Sequence, residues 1–506
     1  MRFRRRSGIL LHPTSLPGGH GIGDFGQQAY RFVDFLAEAG HKLWQVLPLN
    51  PTGYGDSPFQ CFSSIAGNPL LISLDELADR GFLARGELHD ACTFPSEQVD
   101  FGAAVRFKIA QLRKSAETFF DDNLADRSEF DHFCQGNAGW LDDFALFMAL
   151  KDAHGGVTWT KWPPEVSRRE PGALKTETAR LAHEIAIIKF LQFAFFQQWQ
   201  QLRAYAQVHG VQIIGDIPIY VAHDSADVWA NRQFFALDEQ GNPTKVAGVP
   251  PDYFSATGQL WGNPLYDWEV LESTGYRWWV ERFRAALRLY DHVRIDHFRG
   301  FEAYWEVAAS DQTAEHGRWQ KGPGARLFSA IEAELGDLPI IAENLGVITP
   351  EVEQMRRQFG FPGMAILQFA FGNDPQGPSF RPHNYERNLV AYTGTHDNDT
   401  VVGWWNNQGG GDSIRTREDV VKEHAFARQY LGFTDQPINW VLIRSVLASL
   451  ADTAVIPLQD VLGLGSEARM NLPGTASGNW RWRARPDALT GDLAERLRLL
   501  NQSYDR

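Results

Sequence analysis

The stretch Val293-Arg294-Ile295-Asp296-His297 decides the fold, because it reads as a buried strand that ends on a carboxylate and a histidine. Alternation along a β-strand sends Val293 and Ile295 to one face and Arg294 and Asp296 to the other. The apolar pair is suited to packing against helices, and the charged pair to the polar mouth of a barrel. We therefore expect a parallel strand whose carboxyl end carries functional side chains.

The same pattern, a short apolar run followed by polar or acidic residues, recurs along the chain and predicts further parallel strands. Amphipathic helical segments at 27–39, 276–290, 350–359 and 439–450 lie between them. Strands that alternate with helices imply a parallel sheet, and eight such units favour a closed (β/α)₈ TIM barrel of the α/β class over an open sheet. The eight predicted strands are 8–12, 43–49, 211–217, 292–296, 338–343, 365–369, 389–392 and 453–457.

The uneven spacing of the predicted strands indicates two large insertions in one catalytic domain that spans residues 1–506. Between the second and third strands, residues 50–205 are expected to form a mostly helical subdomain. Between the third and fourth strands, residues 220–275 are rich in Gly, Pro and aromatic residues. This second segment is expected to be a loop-rich subdomain that forms a wall of the substrate cleft.

Composition narrows the class of protein. A hydrophobic fraction of 43% and a charged fraction of 22% are typical of a globular chain with a large core. The formal net charge of −14 argues against nucleic acid as a partner. The three cysteines form no C-x-x-C pair and suit a reducing compartment, so we expect a cytoplasmic protein. No apolar run reaches the roughly 18 residues of a membrane span, and no membrane association is expected.

Four of the predicted strands lead into a carboxylate, at Asp216, Asp296, Glu343 and Asp397. An acid in this place often caps the following helix, and for any one of the four that explanation remains open. In a parallel barrel, however, the carboxyl ends of the strands meet at one rim. Four acids on one rim, together with Arg294 and two histidines, favour a catalytic site over four separate caps.

The surroundings of two of these acids predict different roles. Arg294 beside Asp296 favours the ionised carboxylate by charge attraction, as a nucleophile requires. The apolar run Ile340-Ile341-Ala342 is a setting that raises the pKa of the glutamate after it, so Glu343 is expected to be a general acid/base. A retaining glycosidic reaction needs such a pair, with carboxyl groups about 5 to 5.5 Å apart. Hydrogen bonds to the sugar are expected from the other polar residues of the rim, Asp397, His297, His396 and Asp216.

Several short motifs, in the right order along the chain, resemble those of known enzymes. Four of them are similar to the short regions shared by the α-amylase clan: Asp216-Ile-Pro-Ile-Tyr, Arg294-Ile-Asp296-His297, Ala342-Glu343-Asn344 and His396-Asp397-Asn398. Others resemble the amylomaltase (4-α-glucanotransferase) family, glycoside hydrolase family 77: His12-Pro-Thr-Ser-Leu-Pro-Gly, Tyr54-Gly-Asp-Ser-Pro, Gly248-Val-Pro-Pro-Asp-Tyr-Phe-Ser, Trp261-Gly-Asn-Pro-Leu-Tyr and Pro457-Leu-Gln-Asp460-Val-Leu-Gly. The matches cover nearly the whole chain, and the set as a whole is highly specific.

This resemblance implies an activity and a set of site residues. The activity implied is transfer of an α-1,4-glucan segment by a retaining enzyme without cofactor or metal, with maltooligosaccharides, amylose or starch-like glucan as substrates and glucose as an acceptor. Asp296 would be the nucleophile, Glu343 the acid/base and Asp397 the stabiliser of the transition state. One residue departs from the family pattern: Asn344 stands where an aspartate is expected, which removes a charge beside the acid. The substrate-binding residues implied are Tyr54, Asp56, Ser57, Asp216, Asp252, Arg294, His297, His396 and, in the acceptor region, Trp261.

Three other interpretations fit parts of the sequence. A hydrolase of the same clan would share every catalytic residue and differ only in the molecule that attacks the intermediate. A glucan-binding protein with an inactive barrel is expected to lack Asp296 or Glu343, and both are present. Gly21-Ile-Gly23-Asp-Phe-Gly26 spells a dinucleotide-binding motif, but prolines separate it from the preceding strand and the next strand lacks a terminal acid.

Overall fold

The computed structural model describes residues 5–18, 20–89, 94–121, 127–251, 257–409, 416–432, 435–475 and 477–506, apart from the side chains of Tyr54 and His89. The β-strands in these ranges are β1 (Arg6–Leu10), β2 (Leu43–Gln45), β3 (Gln212–Pro218), β4 (Lys245–Val249), β5 (Gln259–Pro264), β6 (His292–Asp296), β7 (Ala303–Ala308), β8 (Arg318–Lys321), β9 (Ile340–Ala342), β10 (Gly363–Ile366), β11 (Leu389–Tyr392) and β12 (Thr453–Pro457). The α-helices are α1 (Gln27–Glu38), α2 (Leu74–Asp79), α3 (Arg85–His89), α4 (Phe101–Asp121), α5 (Ser128–Ala153), α6 (Pro164–Ser167), α7 (Pro171–Arg180), α8 (Ala182–Val208), α9 (Ala226–Ala230), α10 (Trp268–Ser273), α11 (Arg277–Leu289), α12 (Ala325–Leu335), α13 (Pro350–Gln358), α14 (Val401–Asn406), α15 (Arg417–Leu431), α16 (Ile438–Ala448), α17 (Leu458–Leu462) and α18 (Gly491–Ser503). None of these helices has the length and apolar content needed to cross a membrane.

Eight strands form one parallel sheet in the order β10-β11-β12-β1-β2-β3-β6-β9. The two outer strands lie next to each other, because the N–H of Ala342 in β9 donates to the carbonyl of Pro362, just before β10, at 2.9 Å. Helices pack against the sheet, with α8 and α11 in contact with β3 and α16 in contact with β12. The sheet is thus nearly closed into a barrel, which confirms the predicted fold class.

Each of the eight predicted strands is present, and β6, β11 and β12 begin and end at the predicted residues. The prediction that the second strand runs to residue 49 is wrong, because β2 ends at Gln45. Leu47 has a φ of 61°, and this left-handed conformation cannot continue a strand. The strand predicted at 365–369 also ends early, because Leu367–Ala370 form a 3₁₀ helix. In both cases the buried apolar run continues past the strand, so hydrophobicity alone does not mark its end.

The helices between β2 and β3 pack against one another and against the barrel. Helix α8 contacts both α4 and α5, and aromatic rings fill the space between α4 and α8, where Phe119 and Phe190 lie 4.8 Å apart. Lys108 of α4 is fully buried, and its Nζ donates to Oδ2 of Asp24 at 2.8 Å and to the carbonyl of Leu70 at 2.7 Å. This ion pair joins α4 to the residues before α1, so these helices and the barrel share one hydrophobic core.

A second, antiparallel sheet has the strand order β5-β4-β7-β8. Strands β4 and β5 lie within residues 220–275, the segment expected to be loop-rich, and β7 and β8 lie between β6 and β9. These four strands are missing from the predicted set. Each is short and carries glycine or charged residues, and β4 pairs with β7, a strand far from it in sequence.

Gly8 in β1 gives a test of how tightly the barrel is packed. A Cβ atom added at Gly8 would lie 2.5 Å from the Cβ atom and the carbonyl oxygen of Leu43 in β2. We expect Gly8→Ala to lower the free energy of unfolding by about 1–3 kcal/mol, because the backbone has to shift. Urea unfolding followed by tryptophan fluorescence measures this loss.

Gly136 of α5 is the matched control for Gly8, since a Cβ atom there meets no atom within 4 Å. Gly136→Ala is expected to raise the free energy of unfolding by about 0.5–1 kcal/mol, because alanine has less conformational freedom than glycine in the unfolded chain and so loses less entropy on folding. Equal effects of the two substitutions would contradict the packing argument.

Candidate active site

The carboxyl ends of three barrel strands and the loop after a fourth bring four acidic side chains to one rim. Asp216 lies in β3, Asp296 ends β6 and Glu343 follows β9. Because β3 pairs with β6 and β6 with β9, these three acids stand on neighbouring strands. Asp397 lies in the loop after β11, and its neighbour His396 is close enough to Asp296 for the charge of that residue to influence its pKa. The structure therefore brings together the four acids that the sequence places at strand ends.

A buried guanidinium lies at the centre of this group. Arg294 is only 4% exposed, and its Nη1 donates to Oδ2 of Asp216 at 2.6 Å while its Nη2 donates to Oδ1 of Asp296 at 2.8 Å. The residues on either side of Arg294 in β6 are fully buried on the other face, as the alternation predicts. Burial lowers the pKa of Arg294, but the carboxyl groups of Asp216, Asp296 and Glu343 outweigh this effect and raise it well above its usual value. Arg294 is therefore a permanent positive charge.

Asp216 supports Arg294 from inside the barrel. Its side chain has no exposed surface. Burial raises the pKa of Asp216, and the contact with Arg294 opposes this shift. Because its partner is a charged guanidinium at 2.6 Å, the ionised form is the one that this pair stabilises. Asp216 thus affects the cleft through Arg294, although its position on the rim is the predicted one.

Glu343 is almost completely buried beside this ion pair. Its Oε2 accepts the backbone N–H of His297 at 2.7 Å, and its Oε1 accepts that of Leu345 at 3.0 Å. Burial raises the pKa of Glu343 to about 7, with Arg294 opposing this shift and Asp296 adding to it. His297, the residue after Asp296, has the left-handed angles φ 53° and ψ 49° at the point where its N–H meets Glu343. One carboxyl group is held by an arginine and the other keeps its proton up to neutral pH, which is an arrangement suited to acid/base chemistry.

Asp397 is more exposed than the other three acids, with 43% of its side chain accessible to solvent. Its Oδ1 accepts a hydrogen bond from Nδ2 of Asn471 at 2.6 Å, and its backbone carbonyl oxygen accepts one from Nη2 of Arg469 at 2.6 Å. The adjacent His396 is buried, and burial lowers its pKa, so its imidazole is neutral at pH 7. An accessible carboxylate beside a neutral imidazole can accept and donate hydrogen bonds to the hydroxyl groups of a sugar.

An aromatic ring brings the segment around residue 57 to the same rim. Phe59 stacks on His396, with ring centroids 4.9 Å apart and planes inclined by 15°. The N–H of Phe59 donates to Oγ of Ser57 at 3.3 Å. Burial raises the pKa of the partly buried Asp56, with Arg481 opposing the shift. Ser57 is thus linked to His396 through Phe59, and Asp56 lies near Arg481, whereas the side chain of Tyr54 lies outside the described part of the chain.

Trp261 of β5 lies against the site from the second sheet. Its ring meets that of His297 edge-on, with centroids 4.8 Å apart, and the ring of Tyr220 is 6.3 Å away. Burial lowers the pKa of His297 to about 4, so its imidazole is neutral. Trp261, which is predicted to bind substrate in the acceptor region, thus lies against the residue that follows Asp296. Asp252, also predicted to bind substrate, lies outside the described residues.

Asp460 holds the segment that carries His396 and Asp397. Its buried carboxylate accepts hydrogen bonds from the hydroxyl of Thr393 at 2.6 Å and from the N–H of Val401 at 2.7 Å. It therefore holds both ends of the segment 393–401. Burial raises the pKa of Asp460 to about 6, and these two hydrogen bonds oppose the shift. The sequence shows Asp460 only as part of a family motif, and the contacts that it makes join segments far apart in the chain.

Other residues of the rim have no such signal in the sequence. They lie many residues after the end of the preceding strand, and tertiary contacts bring them to the site. Phe59 stands directly after the motif at 54–58, which is the one hint the sequence offers. The rim residues that the sequence does not predict are Phe59, Arg469, Asn471 and Trp480, the last with its ring 5.6 Å from that of His396.

Asn344, the departure from the family pattern, links three elements behind Glu343. Its Nδ2 donates to Oε1 of Glu353 in α13 at 2.7 Å, and its Oδ1 accepts the N–H of Met364 in β10 at 2.8 Å. An aspartate at this position could accept the same N–H, but its second oxygen would face the carboxylate of Glu353. The amide therefore suits this chain because it donates where a carboxylate would repel.

The ion pair between Arg294 and Asp216 predicts a large effect on stability. Arg294→Met leaves the carboxylate of Asp216 buried without a countercharge, so we expect the free energy of unfolding at pH 8 to fall by about 3–5 kcal/mol. Adding Asp216→Asn removes that charge, and the double variant is expected to lose less than the sum of the two single losses. Chemical unfolding of the four proteins gives the values, and strict additivity would argue against a direct pair.

Comparison with known proteins agrees with this geometry. A family model described as 4-alpha-glucanotransferase, glycoside hydrolase family 77, matches residues 11–490. The 4-alpha-glucanotransferases of Synechocystis sp. and Thermus thermophilus are 53% and 50% identical to this chain, over 100% of it and over 99% and 100% of their own lengths. The solved amylomaltase from Streptococcus agalactiae in complex with acarbose matches with a TM-score of 0.94 at 40% identity, over 99% of this chain and 100% of that one. The chain therefore belongs to the glycoside hydrolase 77 family of 4-alpha-glucanotransferases.

Proposed function

We propose that this chain is a 4-α-glucanotransferase that cleaves an α-1,4-glucan and transfers the released segment to the 4-OH of another glucan or of glucose. The observation that carries the proposal is the proximity of Asp296 and Glu343. Arg294 donates to Asp296, and the N–H of His297, the residue after Asp296, donates to Glu343. Membership of the 4-alpha-glucanotransferase family supports the same activity. Maltooligosaccharides, amylose and starch-like glucan are the proposed donors, and the proposed reaction needs no cofactor.

In the first step, a carboxylate oxygen of Asp296 attacks C1 of the glucosyl unit at the cleavage point. Glu343 donates its proton to the glycosidic oxygen, the C1–O bond breaks, and the leaving segment departs with that proton. The glucan is then attached to Asp296 as an ester. Glu343 is suited to the acid role because burial raises its pKa to about 7 and keeps the proton available.

In the second step, the acceptor replaces the first leaving group. Glu343, now ionised, takes the proton from the acceptor 4-OH, whose oxygen attacks C1 and releases Asp296. Two displacements at C1 retain the α configuration. Asp397 is proposed to hold the sugar in the distorted shape of the transition state, and the exposure of its side chain supports this role.

The proposed sugar site includes both sides of the cleft. The neutral imidazoles of His297 and His396 can each donate and accept hydrogen bonds, and Arg294 holds the nucleophile in place. Asp216 is proposed to act through Arg294, since its side chain has no exposed surface. The remaining proposed substrate-binding residues are Tyr54, Asp56, Ser57, Asp252 and Trp261.

A hydrolase of the same clan is the alternative function, since it would use the same acids. Transfer exceeds hydrolysis only when water is kept from the glycosyl-enzyme until a sugar arrives. The ring of Trp261 against His297, with Tyr220 behind it, covers the residue next to the nucleophile and favours transfer.

We also propose a cytoplasmic location and a single catalytic domain in which residues 50–205 and 220–275 are insertions. The location rests on the cysteines, of which Cys61 and Cys134 are free thiols. The single domain rests on the hydrophobic core, which is continuous between the barrel and the helices that precede β3. The net charge of −14 makes nucleic acid an unfavourable partner.

Incubation with maltotriose tests the proposed function. A transferase is expected to produce glucose together with chains longer than maltotriose, because each glucan segment removed from one molecule is added to another. Chromatography of the products distinguishes the alternatives, and a mixture that contains only chains shorter than maltotriose would establish hydrolysis instead.

Two variants serve as controls for that assay. Glu343→Gln removes the proton donor and is expected to lower kcat by about 10²–10⁴-fold, and Asp296→Asn removes the nucleophile and is expected to abolish turnover. Thermal unfolding shows that each variant is folded. Substantial activity in either folded variant would refute the assignment of roles.

The pKa of Glu343 predicts the alkaline limb of the pH profile. The carboxyl group must be protonated to act as the acid, and it loses that proton as the pH rises through about 7. We therefore expect kcat/KM for maltotriose to fall about tenfold per pH unit well above pH 7. Initial rates between pH 5 and pH 9 measure this limb, and a constant kcat/KM up to pH 9 would show that Glu343 is not the acid.

A further inference from the structure

Trp319 lies on β8, the edge strand of the second sheet, with its ring open to solvent. Its side chain is 40% exposed, which makes it the most exposed of the Phe, Tyr and Trp side chains that the structure describes. A large aromatic surface in water is unfavourable unless something covers it. The ring is also outside the proposed mechanism, which assigns it no role.

Buried contacts hold this exposed ring in place. The guanidinium of Arg299 lies over the ring, 3.8 Å from its centroid, and the ring of Trp305 in β7 lies 5.2 Å away with planes inclined by 67°. Arg299 is itself only 4% exposed, donates from Nη1 to the carbonyl of Val347, and has no hydrogen-bond partner for Nε among the described residues. Burial of a guanidinium with an unpartnered N–H lowers the stability of the fold, so the contact that holds this ring is destabilising in that respect.

The supports of Trp319 come from the loops that follow the two catalytic strands. Arg299 is three residues after Asp296, and Val347 is four residues after Glu343. Chain length alone therefore keeps the Cα atoms of these supports within about 11 and 14 Å of those of the two acids. Val347 is 53% exposed, and its carbonyl accepts a hydrogen bond from the guanidinium that lies over the ring. We call Trp319 and Val347 together the rim platform.

We propose that the rim platform binds a glucosyl unit of a long α-1,4-glucan outside the cleavage site, and so makes the enzyme prefer long chains. This inference rests on the proposed function for the identity of the substrate. Arg299 lies over the indole ring, and the exposed part of that ring can stack on the apolar face of a pyranose. In this proposal the glucan leaves the cleft over the loops after β6 and β9, which carry Arg299 and Val347.

Other occupants fit the platform less well. A phosphate group needs an accessible cation, but Arg299 is buried against the ring, and the two cations of β8, Arg318 and Lys321, are paired with Glu306 and Glu302. A protein partner needs an interface of at least about 1,000 Å², whereas the platform consists of two side chains. An extended glucan needs only one such ring for each unit that it stacks.

Steady-state kinetics on a short and a long substrate tests the platform. We expect Trp319→Ala to lower the ratio of kcat/KM for amylose to kcat/KM for maltotriose by about three- to tenfold, which is the range for loss of one stacking contact. Trp319→Phe keeps an aromatic face and is expected to stay within about twofold of the wild-type ratio. Val208→Ala, an exposed aliphatic change at the end of α8 with 84% exposure, is the matched control and leaves the ratio unaltered.

Binding without turnover separates this proposal from the proposed function. In a Glu343→Gln background, Trp319→Ala is expected to raise the Kd for maltoheptaose by about three- to tenfold in isothermal titration calorimetry. If the wild type only hydrolyses maltotriose, the transferase proposal fails and this comparison still decides the platform. An unchanged Kd, or an equal loss of kcat/KM on amylose and maltotriose, overturns the platform, because the ring would then act on the folded site as a whole.

Discussion

The buried contact of Arg294 with Asp216 and Asp296 is the interaction on which the rest of the site depends. Three carboxyl groups stand at this end of the barrel, and burial together with mutual repulsion disfavours their charged forms. One guanidinium offsets both effects. Because it bridges two neighbouring strands, the register of β3 and β6 determines where Asp296 lies. The N–H that follows Asp296 then binds Glu343, so the position of one carboxyl group fixes that of the other.

The sequence predicts the barrel and its four acids because both depend on local patterns. In β6, the alternation of apolar and charged residues indicates a strand with two different faces, and the structure has those faces. The apolar residues before Glu343 indicate a buried carboxyl group, and burial does raise its pKa, to about 7. For Asp296 the sequence indicates the arginine contact, since the two residues share a face. The catalytic roles of these acids remain predictions.

The parts that sequence reasoning misses depend on contacts between distant segments. Strand β4 pairs with β7, a strand more than fifty residues away, so no local pattern reveals it. Phe59 reaches His396 only because the chain bends back over the rim, and Trp480 arrives there from near the C-terminus. The end of β2 is set by the backbone of Leu47, whose side chain is as apolar as those before it. Hydrophobicity predicts burial at these positions, but backbone angles and distant partners decide the structure.

The amide of Asn344 ties the residue beside the acid to an outer helix in this chain. It donates to Glu353 on a helix outside the barrel and accepts from the backbone of β10. A change to aspartate at 344 alone sets two carboxylates face to face, and a change to a donor at 353 alone sets two donors against each other. Either step is unfavourable by itself, so the two positions are expected to covary in descent. The residue next to the acid is thereby selected by an outer helix, and its identity carries little information about the chemistry of the cleft.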